Sequence, residues 1–196
     1  MSSSVDIKVV MLGQAYAGKS SLVKRYITGK FDDKYMNTVG AAFDDCKFTV
    51  NLRRFRMGIW DTAGQERYHS MLKIYYRHSY AAIICYDPLD LESFQSIKYW
   101  IQELQKVSDG IKIYICATKQ GIIEAKKKVV VDAKDVQDLI KKYDAKYFET
   151  SANTGSNVKE LFYDIAYTWA NDPTTSMTFF GDYDKSSLNH HGQSCC

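Results

Sequence analysis

The run GQAYAGKS at positions 13–20 constrains the fold of this chain more than any other stretch. It matches the pattern GxxxxGK[ST], in which a glycine-rich turn joins a strand to a helix. The apolar run at 7–12 before it has the length of a buried strand, and residues 20–28 after it have a helical pattern. A glycine-rich turn without a ligand is the alternative, but the position between a strand and a helix favours a phosphate-binding loop.

Each residue type in this loop has a physical reason to be there. Gly13 and Gly18 allow the backbone to turn its N–H groups inward around a phosphate, and the following helix adds its positive N-terminal end. Lys19 can reach the β- and γ-phosphates, and the hydroxyl of Ser20 can bind Mg²⁺. The loop therefore predicts a nucleotide site.

Strand and helix patterns alternate along the rest of the chain. Further strands are predicted at 44–51, 53–61, 81–87, 112–117 and 146–149, and further helices at 67–78, 93–106, 132–143 and 158–170. This alternation predicts an α/β fold, a mostly parallel six-stranded sheet with about five helices on both faces. Ligands of such sheets bind at the carboxyl ends of the strands.

Length, charge and cysteine content exclude several classes of protein. The 196 residues fit one domain, and the net charge of +3 gives no reason to expect nucleic acid. No apolar stretch has bilayer-spanning length, and the N-terminus shows no secretory signal. Cys46, Cys85 and Cys116 lie in apolar surroundings and are predicted to be buried thiols; no paired or metal-ligand spacing is present, which favours a cytosolic setting.

A second motif, DTAGQE at 61–66, follows an apolar strand. Asp61 can hold Mg²⁺ through water, Gly64 can donate its N–H to a γ-phosphate, and Gln65 can orient an attacking water. Thr38 lies on a loop 18 positions after Ser20, where it can give the metal a second hydroxyl.

Together these motifs resemble the Ras superfamily of small GTPases, and more narrowly its Rab family. Rab-like stretches are VGAAF (39–43), GIWDTAGQERY (58–68), YYRHS (75–79) and ETSAN (149–153). The resemblance covers about Asp6 to Ala170 and implies a GTPase domain at 1–170 with the P-loop NTPase (small G protein) fold. YMNTVGAAF, together with Tyr16, looks most like the atypical Rab branch associated with autophagy.

The resemblance implies a GTP/GDP switch with Mg²⁺, in which the first switch segment is 31–40 and the second is 63–76. Gln65 would be catalytic, and Ser20, Thr38 and Asp61 would hold the metal. The nucleotide would be bound by Gly13, Ala15, Tyr16, Ala17, Gly18, Lys19, Ser20, Ser21, Phe31, Thr38, Gly64, Thr118, Lys119, Ser151, Ala152 and Asn153. Phe43, Trp60 and Tyr75 match an aromatic triad that faces effectors; simple core packing is the alternative.

Two departures from the family pattern affect the expected activity. Where the family has NKxD, this chain has Thr118, Lys119, Gln120 and Gly121, so the carboxylate that pairs with guanine is missing. Guanine preference should therefore be weak unless another group, for which Glu124 is one hypothesis, takes its place. Ala15 adds a methyl near the γ-phosphate, where it can obstruct Gln65 or an arginine finger, so hydrolysis should be slow.

Residues 171–196 have no apolar periodicity and predict a flexible tail of net charge −2. Its last residues, Cys195 and Cys196, resemble a Rab prenylation site, and two lipid chains would hold the protein stably on the cytosolic face of an intracellular membrane. An accidental Cys-Cys ending is the alternative. His190 and His191 have no further ligands nearby in sequence and predict a polar tail rather than a metal site.

The implied partners are effectors, an exchange factor, a GTPase-activating protein, a GDP-dissociation inhibitor and a prenylation escort protein, with the chain itself a monomer. Two other function classes stay open. A pseudo-GTPase binding module is favoured by Thr118 and Gly121. It is disfavoured by the complete set of phosphate, metal and catalytic residues, which are Lys19, Ser20, Thr38, Asp61 and Gln65. An ATP-using phosphotransferase would need a second substrate site, and no motif for one is visible in the sequence.

Overall fold

The computed structural model describes residues 5–32, 38–64, 69–107, 110–120 and 129–176. Six strands and six helices alternate along these ranges. The strands are β1 (Ile7–Leu12), β2 (Ala41–Val50), β3 (Arg53–Thr62), β4 (Ala81–Tyr86), β5 (Lys112–Ala117) and β6 (Lys146–Glu149). The helices are α1 (Lys19–Thr28), α2 (His69–Tyr76), α3 (Leu91–Gln105), α4 (Ala133–Tyr143), α5 (Val158–Asn171) and the single turn α6 (Pro173–Ser176).

The strands form one six-stranded sheet in the order β2-β3-β1-β4-β5-β6. All neighbouring pairs are parallel except β2 and β3, which form an antiparallel hairpin. Parallel neighbours need crossover connections, and helices supply them here. The predicted α/β class and mostly parallel sheet are therefore confirmed.

Helices cover both faces of the sheet because its central strands are apolar on both sides. In β1, Val9 and Met11 join a core shared with α1 and α5, whereas Val10 and Leu12 join a second core shared with α3 and α4. The three internal cysteines, Cys46, Cys85 and Cys116, are free and buried, as predicted.

Several element boundaries differ from the sequence prediction, and each has a local cause. β2 begins at Ala41 rather than residue 44, because its pairing with β3 continues to Ala41 opposite Thr62. α3 begins at Leu91 because the Asp90 side chain accepts hydrogen bonds from the N–H groups of its first turn.

Helical structure at the C-terminal end of the described chain also extends further than predicted. α5 includes Asn171, the first residue assigned to the tail, and α6 adds one more turn. Residues 177–196, including the histidine pair and both terminal cysteines, lie outside the described residues. In the described ranges, no helix combines the length and the apolar character that crossing a bilayer requires.

This topology gives the sheet two different edges. The segments that follow β1, β3, β4, β5 and β6 lie at the carboxyl edge of the parallel strands. The turn of the β2–β3 hairpin lies at the opposite edge, since β3 is parallel to β1 and begins there. The carboxyl edge is where α/β sheets bind ligands.

Candidate functional site

The phosphate loop is held in a conformation that only its glycines allow. Gly13 has φ 128°, and a Cβ atom there would lie 2.2 Å from the carbonyl oxygen of Cys85. Gly18 has φ 84° and caps α1 in the left-handed region. A side chain at either position would strain the backbone, and at Gly13 it would also collide with β4. The predicted roles of both glycines in shaping the loop agree with this geometry.

Lys19 projects from the first turn of α1 beneath the loop. The side chain is buried, and its Nζ donates to the carbonyl oxygens of Gly13 at 2.9 Å and Gln14 at 2.7 Å. Burial lowers the pKa of Lys19, while the nearby Asp61 carboxylate opposes that shift. The ammonium group therefore stands inside the concave side of the loop, where it can neutralise phosphate oxygens.

Three oxygen-bearing side chains from separate elements meet beside Lys19. Ser20 Oγ lies 2.8 Å from Thr38 Oγ1, and Thr38 Oγ1 donates to Asp61 Oδ2 at 3.5 Å. Asp61 is 4% exposed, and its Oδ1 has no hydrogen-bond partner within the described part of the chain. Burial raises the pKa of Asp61, against the lowering effects of Ser20 and Lys19.

These donors fit Mg²⁺, which prefers carboxylate and hydroxyl oxygens and keeps several waters. A buried carboxylate with an unpaired oxygen is costly unless a cation or donor compensates it. Ser20, Thr38 and Asp61 are the three residues predicted for the metal. The structure brings all three together from α1, the first switch segment and the end of β3.

The second switch segment starts in contact with the phosphate loop. The N–H of Ala15 donates to the carbonyl oxygen of Gly64 at 3.0 Å. A Cβ atom at Gly64 would lie 2.3 Å from the nitrogen of Ala15 and 2.5 Å from the oxygen of Gln14. Only glycine allows this approach. Gln65, the predicted catalytic residue, lies outside the described residues.

The segment after β5 supplies the residues predicted for the base. Thr118 is buried, and its hydroxyl lies 2.9 Å from the Ala17 carbonyl oxygen and 3.0 Å from that of Tyr86. It therefore links the phosphate loop to β4. Lys119 has φ 62°, and its Nζ donates to Asp87 Oδ2 at 2.6 Å.

Asp87, which pairs with Lys119, is a residue of this region that the sequence prediction missed. It comes directly after β4 at the carboxyl edge, where polar residues are expected to serve a site, and that position was the available signal. The ion pair fixes the end of the Lys119 side chain, whose stem would lie along a base. Gly121 and Glu124, on which the predicted weak guanine preference rests, lie outside the described residues.

The segment after β6 supplies the other residues predicted to contact the guanine base. Ser151 is buried, and its Oγ accepts from the Thr154 N–H at 3.2 Å. The Gln120 N–H donates to the Thr150 carbonyl oxygen at 3.2 Å, which joins the segments after β5 and β6. Ala152 is half-buried and Asn153 is exposed in this segment.

The remaining predicted nucleotide residues border the same edge. Tyr16 has φ 64° and is mostly exposed, Ala17 is buried, and Ser21 is half-buried in α1. Phe31 is 40% exposed at the start of the first switch segment. An ion pair at 2.9 Å between Lys24 and Asp32 holds this start against α1.

The aromatic triad comes from β2, β3 and α2, next to the second core. Phe43 and Trp60 are register partners whose rings meet edge to face, with centroids 4.9 Å apart. Phe43 is 49% exposed, whereas Trp60 and Tyr75 are half-buried against the second core. Core packing therefore explains the buried parts of the Trp60 and Tyr75 side chains, but it does not explain the exposed ring of Phe43.

Comparison with known proteins identifies relatives over nearly the whole described chain. Residues 8–171 match the model of the Ras family. Ras-related protein Rab-24 of Dictyostelium discoideum is 41% identical over 164 residues, 84% of this chain and 81% of the relative. Ras-related protein RABF2b of Arabidopsis thaliana is 39% identical over 195 residues, 98% of this chain and 96% of the relative. Ras-related protein Rab-21 of Homo sapiens is 40% identical over 160 residues, 82% of this chain and 70% of the relative.

Proposed function

Because the chain belongs to the Ras family and is a Rab-type small GTPase, a GTP/GDP switch of membrane trafficking, we propose that its two states differ in how Thr38 and Gly64 are held at the phosphate loop. GTP would bind with Mg²⁺, and slow hydrolysis would release both switch segments. Effectors would then distinguish the states at the aromatic triad.

The convergence of Ser20, Thr38 and Asp61 carries this proposal. Thr38 is the only one of the three in a predicted switch segment, and its hydroxyl already contacts Ser20 Oγ at 2.8 Å. A cation that binds Ser20 and Asp61 together with Thr38 therefore fixes the first segment relative to α1 and β3. The terminal phosphate, received by the Gly64 N–H, would fix the second segment in the same way.

Different residues of the chain would have different roles in hydrolysis. Lys19 and the N–H groups of the phosphate loop stabilise negative charge as water attacks the γ-phosphorus in line, and Gln65 orients that water. When bound, Mg²⁺ supplies further charge neutralisation at the phosphate oxygens. Because Lys19 is buried, its charge acts where bulk water screens it little.

The first prediction concerns Ala15, whose backbone N–H donates to the Gly64 carbonyl oxygen and whose methyl group is expected near the γ-phosphate. Replacing it by glycine (Ala15→Gly) should accelerate single-turnover GTP hydrolysis by about tenfold, because Gln65 gains room to align the water. A Gln65→Leu background is the control, since without Gln65 the removal of the methyl should have no effect. Equal rates for the wild type and Ala15→Gly would contradict the assignment of slow turnover to this methyl.

The second prediction concerns base selection. The sequence lacks a carboxylate at Gly121, so GTP should displace a bound fluorescent GDP analogue only modestly better than ATP does. Gly121→Asp should restore paired hydrogen bonds to guanine and raise the GTP-over-ATP preference by about tenfold. Equal displacement by ATP and GTP in the wild type would contradict the assignment of guanine as the bound base. An unchanged GTP-over-ATP preference in Gly121→Asp would contradict the role given to Gly121.

A pseudo-GTPase is the second candidate, and one observation favours it. Thr118, which stands where the family motif has asparagine, and Lys119, which the motif retains, both contact protein groups: the Ala17 carbonyl and the Asp87 carboxylate. Such a protein would work through its aromatic surface in a single state. Purified chain without bound nucleotide would support this candidate, whereas copurified GDP or GTP would exclude it.

The remaining proposals concern location and partners. Cys195 and Cys196 would carry two geranylgeranyl chains that hold the protein on the cytosolic face of an intracellular membrane. The proposed partners are effectors, an exchange factor, a GTPase-activating protein, a GDP-dissociation inhibitor and a prenylation escort protein. An autophagy-related pathway is proposed from the likeness of 35–43 and Tyr16 to that Rab branch. Mass spectrometry of the chain purified from its own cells would detect the lipid.

A further inference from the structure

The turn of the β2–β3 hairpin presents an apolar side chain in an unfavourable conformation. Asn51 and Leu52 both have positive φ, 50° and 64°, and Leu52 is 98% exposed. Asparagine tolerates this left-handed region, but the second position of such a turn strongly prefers glycine. A leucine there adds backbone strain while its side chain packs against almost nothing in the described chain. Stability of the folded domain does not explain Leu52.

Two basic side chains lie on one face of the hairpin, Arg54 close to the turn and Lys47 further along β2. Lys47 and Arg54 are exposed, and the register that pairs Lys47 with Arg56 and Thr49 with Arg54 places them diagonally on the same side. The nearby Asp45 carboxylate is already paired with Arg56, at 2.6 Å between Nε and Oδ2. The hairpin end therefore combines a protruding leucine with exposed positive charge.

The same end of the molecule is where the chain leaves the domain. Asn51 Nδ2 donates to Asn171 Oδ1 at 3.2 Å, and Asn171 is the last residue of α5. The final residues, 177–196, continue from the turn that follows this helix and finish at the two cysteines proposed to carry lipid. The nucleotide site lies at the other edge of the sheet, so a surface touching the hairpin end would leave the switch segments accessible.

We propose that the hairpin end, defined as Leu52 with Lys47 and Arg54, is a second membrane contact that binds anionic lipid surfaces. Leu52 would enter the boundary between headgroups and acyl chains, and Lys47 and Arg54 would lie at the anionic headgroups. The contact would orient the domain with its nucleotide edge away from the bilayer. This proposal rests on the membrane attachment proposed for the tail.

The test uses the full chain with a single chemically attached lipid, because one chain gives weak and reversible binding in which a second contact is measurable. In a Cys195→Ser chain, Cys196 is alkylated with a maleimide-linked fifteen-carbon chain; Cys46, Cys85 and Cys116 are buried. Cosedimentation is measured with vesicles of phosphatidylcholine alone and with 30% phosphatidylserine. Bound GDP is quantified in each sample, so that loss of the nucleotide switch is distinguished from loss of membrane contact.

Leu52→Ser should weaken binding to the anionic vesicles by about tenfold. Arg54→Gln should weaken it about fivefold there and leave binding to neutral vesicles unchanged. The matched controls are Leu91→Ser, an exposed leucine at the start of α3, and Lys134→Gln in α4, both near the opposite edge. Both controls should bind like the parent chain.

Leu52→Gly separates membrane contact from a structural role. It removes the side chain and relieves the positive-φ strain, so the melting temperature should rise by about 2 °C while anionic binding falls. Unchanged binding for all hairpin variants would overturn the proposal. A lower melting temperature of Leu52→Gly would also overturn it, because Leu52 would then serve the fold.

Discussion

Replacing Asp61 by asparagine is expected to lower the magnesium-dependent affinity for GTP by about 100-fold. The carboxylate is 4% exposed, its Oδ1 has no partner among the described residues, and its Oδ2 lies 3.5 Å from Thr38 Oγ1. Asparagine keeps the shape but removes the negative charge that a divalent cation requires. Titration of a fluorescent GTP analogue at fixed free Mg²⁺ measures the loss.

Two controls isolate the metal. In excess EDTA the wild type and Asp61→Asn should bind the nucleotide with similar, weak affinity, since neither then has a cation to hold. Asp90→Asn, at the same edge of the sheet, keeps its helix-capping role because both residue types cap well, and it should bind as the wild type does. If Asp61→Asn retained full affinity in Mg²⁺, the proposed metal site would be wrong.

Replacing Gly64 by alanine is expected to reduce single-turnover hydrolysis by about 100- to 1,000-fold. The added Cβ would lie 2.3 Å from the Ala15 nitrogen, so the second switch segment must move away from the phosphate loop. That movement would withdraw the Gly64 N–H from the site proposed for the γ-phosphate and would misplace Gln65, the residue proposed to orient the water. The affinity for GDP should change little, because GDP has no γ-phosphate to receive this N–H.

Gly110→Ala is the matched control, since a Cβ atom there meets nothing within 4 Å. It should hydrolyse GTP at the wild-type rate. The combination of slow hydrolysis and normal GDP binding is the informative result for Gly64→Ala. Rapid hydrolysis in this variant would show that the contact between Ala15 and Gly64 is dispensable for catalysis.

Much of the fold was predictable because its central strands are buried on both faces. β1, β4 and β5 are short apolar runs whose ends the sequence marks clearly, and β5 and β6 have the predicted bounds. Strand bounds were harder to predict where pairing with a distant strand determines them. The first three residues of β2 are small or exposed apolar residues without a buried alternation, and only their pairing with β3 extends the strand to Ala41.

Site residues could be predicted from the sequence where a short local motif specifies them. The loop glycines, Lys19 and Ser20 follow from one contiguous motif, and Asp61 follows from the end of an apolar strand. Contacts between distant segments carry no such local signal. The inward-facing hydroxyl of Thr118 and the ion pair of Lys119 with Asp87 depend on how β4 and β5 lie side by side.

The central claim is that one cation and one terminal phosphate hold two separate segments at once. Hydrogen exchange of the full chain, loaded with GDP or with a non-hydrolysable GTP analogue in Mg²⁺, tests it most directly. The account predicts that the analogue slows amide exchange in peptides covering 31–40 and 63–76 together, while peptides from β4 and α5 exchange equally in both forms. Equal exchange in both switch segments would contradict it.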